Sequence, residues 1–167
     1  MSPSTTALLY RPVYIVKRPI AAGRGRGYAR RMPRALQAAL TVTDLLFLAY
    51  WAASALAAAG AITLPHGWMY AGYGEPRVDA WNWSFLPLDL AFSTSGLSAL
   101  AAARRGDALW RPLALVSLVL TSTAGCMAVA YWALLREFNP AWFLPNLALL
   151  LWPALFLPGL VRGLAGR

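Results

Sequence analysis

The sequence predicts an all-α integral membrane protein, a four-helix bundle with its N- and C-termini cytoplasmic. Three observations carry that expectation. Hydrophobic residues make up 59% of the chain and charged residues 13%, whereas a soluble domain has about 45–50% and about 25%. Four separate segments are long and apolar enough to cross roughly 30 Å of hydrocarbon, which takes about 20 helical residues. Basic residues alternate between crowded and sparse loops along the chain, the pattern that sets membrane orientation.

Residues 1–34 form a basic arm. Seven of the 14 Arg and the single Lys17 lie here, without an acid. A Gly/Pro/Arg mixture does not bury enough apolar surface to fold alone, so the arm is expected to be disordered. Met32 stands immediately before the first span, and a start there would leave an ordinary short leader. A polybasic segment is attracted to anionic headgroups. Interleaved Tyr could let it contact nucleic-acid phosphates, but a purely topological role suffices and no nucleic acid is expected. The arm lacks the apolar region of a secretory signal.

Residues 35–164 are expected to form the bundle. Its spans cover about 35–64, 84–103, 112–135 and 141–161, helical because every backbone polar group must be satisfied without water. The loop after the first span carries Arg77 against Glu75 and Asp79. The next carries Arg104, Arg105 and Arg111 against Asp107. The third has Arg136 and Glu137, and the tail ends in Arg162 and Arg167. Positive charge thus alternates high, low, high, low, high, which puts both termini on the cytoplasmic side. Fourteen Arg to one Lys, with abundant Ala, Gly and Pro, points to a GC-rich bacterial genome.

Several chemistries are excluded by counting. Cys126 is the single cysteine and His66 the single histidine, so neither a disulfide framework nor a Cys/His metal cluster is expected. The sole Lys17 lies in the arm, where it cannot hold retinal. No metal and no cofactor is expected, and an enzyme is disfavoured for want of a nucleophile paired with a base.

An acid within a span costs about 2.5–3.5 kcal/mol on insertion scales and is a functional candidate by default. Asp44 lies in the first span toward the cytoplasm, and Asp89 in the second toward the outside. At 1.5 Å per residue their depths differ by roughly 10 Å, too far for a direct dyad, although a water-filled cavity could connect them. Asp89 shares a small, polar stripe with Ser93 and Gly96. Ser117, Thr121, Gly125 and Ala128 form a similar stripe in the third span. Asn146 lies at nearly the depth of Asp89, so Asp89, Asn146 and Tyr131 are expected to meet in the outer half. Pro87 and Pro145 are expected to break two helices at that depth and open a cavity wall. Helix packing and hydrogen-bonded structural acids account for the same residues equally well.

The outer loop is aromatic, with Trp68, Tyr70 and Tyr73, then Trp81-Asn82-Trp83-Ser84-Phe85. Trp142 joins it from the last span. These rings read as an interfacial belt or as the lid of a pocket. The candidate ligand site is therefore Asp89 as charge anchor, Asn146 as hydrogen-bond partner, Trp81, Asn82, Trp83, Trp142 and Tyr131 as walls, and Asp44 as a deeper proton relay.

Thr43-Asp44-Leu45-Leu46-Phe47, Tyr50-Trp51 and the run Trp81 to Leu90 resemble the YvaD-like family of small bacterial membrane proteins. The resemblance covers the chain from about Met32 and implies four spans in a bacterial inner membrane, but no assigned activity. The acids in spans one and two, the aromatic loop and the Pro-bearing last span are also similar in architecture to the sterol-isomerase and sigma-2-receptor-like proteins. That likeness implies a lipidic amine or sterol held in a bundle cavity. His66 lies in a loop and does not match the catalytic His of those proteins.

Three functions follow as expectations. The first is binding or transport of a small apolar or cationic ligand in an outer-half cavity, in a protein of this size as a homodimer. The second is an accessory subunit packed against a larger membrane partner. The third is a lipid-modifying membrane enzyme. All three have the lipid bilayer as their surroundings.

Overall fold

Helix α1 (Arg34–Ala58) is the first of four stretches long and apolar enough to span a membrane. Helices α2 (Pro76–Trp83) and α3 (Leu86–Arg104) together make the second, α4 (Trp110–Leu135) the third. The fourth comprises α5 (Pro140–Leu151), a 3-10 turn at Trp152–Leu155, and α6 (Leu157–Ala165). The computed structural model describes residues 31–65, 68, 70 and 72–165. The first 30 residues of the basic arm, His66 and Arg167 lie outside the described residues, and with them the expectations placed there.

Three element boundaries differ from the sequence expectation. α1 ends at Ala58, six residues before Leu64. Gly60 takes φ 71° there, and Ala61 N–H turns back to Leu56 O at 2.9 Å, closing the helix as a left-handed glycine cap does. Asp79, Trp81 and Asn82 lie on α2 instead of in a loop, because Pro76 opens a helix at the position where its missing N–H costs nothing. Of the two prolines expected to break helices, Pro87 directly follows a break and Pro145 lies inside an unbroken helix. Pro87 sits in the first turn of α3, and α5 runs through Pro145 after Asn139 caps it from Ala141 N–H at 3.0 Å. The breaks fall at Ser84–Phe85 and at Trp152–Leu155, where Pro153 and Pro158 interrupt the helical ladder.

The spans pack in a row, α1 on α3, α3 on α4, and α4 on α5. The α1–α3 register is antiparallel and fixed by facing pairs. Trp51 meets Asp89, Phe47 meets Phe92 edge-to-face at 4.9 Å, and Asp44 meets Gly96. A methyl group on Gly96 would strike the Asp44 carboxylate and come within 2.9 Å of Ser117 Oγ, so glycine lets three helices converge. Gly125 does the same between α4 and α5. A methyl there would lie 2.5 Å from Leu150 N and 2.7 Å from Asn146 O. Ser122 Oγ donates to Leu150 O at 2.8 Å, fixing α5 beside its break.

Two clusters fill the row. Leu36, Leu40, Leu100, Trp110, Leu118 and their neighbours pack the end where α1 and α4 begin. Trp51, Phe85, Phe92, Ala124 and Ala128 pack the loop end. The many exposed large apolar side chains, Leu134 and Leu155 among them, suit an outer surface solvated by lipid.

Candidate functional site

At the loop end, α1 and α5 flank a cavity of about 430 Å³. The α1 wall is Thr43, Leu46, Phe47, Tyr50 and Trp51. The α5 wall is Trp142, Pro145, Asn146 and Leu149, continued by Trp152. Asp89, Ala124, Ala128 and Trp132 of α3 and α4 form its back, with Trp81, Asn82 and Phe85 above. Alanines on α4 give the depth, because larger side chains there would occupy it.

Asp89 is 3% exposed. Trp51 Nε1 donates to its Oδ2 at 2.9 Å, while Oδ1 has no partner among the described residues. The acid lies in the first turn of α3, the electropositive end of that helix. A carboxylate so withdrawn from water needs a donor or a counter-charge. The remaining polar groups are held more locally. Tyr50 OH donates to Asn82 Oδ1 at 2.9 Å, and Asn146 Nδ2 donates to Trp142 O at 2.7 Å.

Aromatic rings close the loop end. Tyr50 and Trp142 stand 6.4 Å apart, and Tyr70 packs on Trp142 at 6.3 Å. Tyr70 is only 6% exposed and donates to Asp79 Oδ1 at 2.6 Å, a carboxylate oxygen that also accepts from Gly74 N–H at 3.1 Å. Burial and that bond to Asp79 together hold the Tyr70 phenol protonated well above the usual tyrosine range. Away from this lid, Leu46, Pro145 and Ala148 line the cavity while remaining exposed on the outer faces of α1 and α5. The cavity therefore reaches the lateral surface between those helices.

Of the residues singled out from sequence, Asp89, Asn146, Trp81, Asn82 and Trp142 line this cavity. Trp83, Tyr131 and Asp44 do not. Trp83 turns onto Trp51 at 5.3 Å, and Tyr131 stacks on Trp81 at 3.9 Å from behind. Asp44 is fully buried in the α1–α3–α4 seam beside Gly96, and neither oxygen has a partner among the described residues. Ser93 Oγ and Ser117 Oγ in the same seam are likewise unpartnered. The candidate site read from sequence left out Trp51, Tyr50 and Trp152, which also line the cavity. A signal for Trp51 was present: it follows Asp44 by seven residues, as Gly96 follows Asp89. Antiparallel helices with equal spacings bring both pairs into register.

The arrangement offers one under-satisfied carboxylate, a few amide and hydroxyl groups, and a wall of aromatic side chains, chemistry suited to holding an amphiphile with a positive head. Fold and cavity together define an all-helical, multi-pass membrane protein with four spanning helices. The chain belongs to the Family of unknown function (DUF5360), matched over residues 36–166. It is 38% identical over 121 residues to the "Uncharacterized protein YvaD" of Bacillus subtilis (strain 168), an alignment covering 72% of this chain and 87% of that protein. No solved structure matches it.

Proposed function

We propose that this protein binds, and in a membrane carries, a small amphiphile with a cationic head and an apolar body. The reading includes a bacterial inner membrane with both termini in the cytoplasm. One observation supports it above the others: a buried carboxylate, Asp89, lines an aromatic cavity with one oxygen held by Trp51 and the other without a partner among the described residues. Ammonium beside that oxygen would supply the missing charge, and Trp51, Trp81 and Trp142 would present their faces to it. The lateral opening between α1 and α5 suits a ligand already dissolved in lipid.

The test compares benzyltrimethylammonium with neopentylbenzene, its neutral carbon isostere, on the purified full chain in detergent, read by tryptophan quenching. The cation should bind more tightly than the isostere. Asp89→Asn should weaken the cation roughly ten- to hundredfold while leaving the isostere and the helical circular dichroism unchanged. Equal binding of the two probes, or full cation affinity in Asp89→Asn, would refute the reading. Loss of accumulation of the variant unless a partner is co-expressed would favour an accessory subunit instead.

A further inference from the structure

The end of the bundle where α1 begins and α6 lies holds a second cavity, of about 470 Å³, which shares no lining residue with the first. Three arginines line it, Arg31, Arg111 and Arg162, and among the described residues no acidic side chain does. Arg111 is 6% exposed. Its interaction among the described residues is with the ring of Trp110, whose centroid lies 5.3 Å from the guanidinium carbon. Arg162 Nε donates to Pro158 O at 3.2 Å, which leaves its terminal nitrogens to point elsewhere.

A guanidinium keeps its charge at every physiological pH and presents five donors in a rigid fork. Buried without a counter-ion, it is costly. The oxygens of a phosphate match that fork two at a time. Arg111 also lies in the first turn of α4, whose positive dipole end adds to the same field. The other walls are apolar. Leu36, Trp110, Phe156 and Leu160 are buried or half-buried, while Leu155 is 79% exposed on the outer surface. Gly159 and Gly163, one turn apart on α6, keep the approach low, since a methyl on either would touch nothing.

We infer that this cavity binds a phosphate-bearing anion. The anion is held by Arg111 and Arg162 with Arg31 at its rim, and acyl chains can leave over Leu155. Two sources share the chemistry, an anionic lipid headgroup and free phosphate. Basic pockets between spanning helices at a membrane face are suited to the first.

The experiment uses the full chain in nonionic detergent, with phosphatidylglycerol, phosphatidylcholine or inorganic phosphate added separately. Thermal unfolding and native mass spectrometry read the result. Phosphatidylglycerol should raise the melting temperature and remain bound, and phosphatidylcholine should do neither. Arg111→Met should weaken the phosphatidylglycerol effect roughly ten- to hundredfold. Arg162→Gln changes an exposed side chain, and should weaken it about threefold. Arg77→Gln, at the opposite end, should change nothing. Protection by phosphatidylglycerol without protection by inorganic phosphate identifies the lipid headgroup; equal protection by both identifies free phosphate. Equal protection by phosphatidylcholine and phosphatidylglycerol, no protection by either anion, or an undiminished effect in both Arg111→Met and Arg162→Gln overturns the inference.

Discussion

Gly96 and Gly125 are close-approach positions of different kinds, and the difference is measurable. At Gly96 the nearest obstacles are the short side chains of Asp44 and Ser117; at Gly125 they are the backbone of Leu150 and Asn146. Overpacking typically costs about 1–3 kcal/mol. Gly96→Ala is expected near the low end of that range, because the Asp44 carboxylate can turn aside, and Asp44→Ala in the same chain should restore much of the loss. Gly125→Ala is expected at or beyond the high end, since neither helix can yield locally. Thermal unfolding in detergent checks both, and equal penalties would contradict this account. Tyr70 gives a pH-dependent counterpart. A raised phenol pKa means its hold on the lid is complete below the ordinary value of about 10 and fades as pH rises through the higher folded value. Subtracting the 295 nm alkaline titration of Tyr70→Phe from that of the native chain should leave a midpoint above about 10.

The elements were legible in the sequence where length and apolarity decide them, and less so where a cap or a facing residue does. Four spans could be read directly. The end of α1 could not, because it rests on one left-handed glycine inside a continuing Ala-rich run. Arg136 makes the same point at the end of α4, where it adopts φ 58° and lets Glu137 N–H return to Trp132 O at 3.0 Å. A left-handed arginine costs roughly 1–2 kcal/mol against glycine, so Arg136→Gly is expected to stabilise the chain by about 1 kcal/mol. An unchanged or lower melting temperature would count against the cap. The two acids were equally visible in sequence, yet only Asp89 faces the aromatic cavity. Opposite Asp44 stands Gly96, which lets α3 and α4 close over it. Asp89 instead meets the indole edge of Trp51 at the level where α1 and α5 stand apart. Such a distinction belongs to pairs of helices, and no single helix contains it.

At the scale of the molecule, the even number of spans is expected to put both ends on one side of the membrane. Reporter fusions at residue 34 and at the C-terminus should both be active in the cytoplasm. A cysteine placed at Tyr73 in a Cys126→Ser background should react with an impermeant thiol reagent from outside. Opposite labelling of the two ends would remove the four-span arrangement. The row of helices has a further consequence. α3 and α4 each have packed neighbours on both sides, whereas α1 and α5 are the two ends of the file and approach each other mainly through the rings of Tyr50 and Trp142. Whatever fills the space between them becomes the body both outer helices lean on. Occupancy and cohesion are then one quantity. By mass action, a ligand at a hundred times its dissociation constant would add about 2.7 kcal/mol to the folded state, and the protein's resistance to heat would serve as a gauge of how full its cavity is.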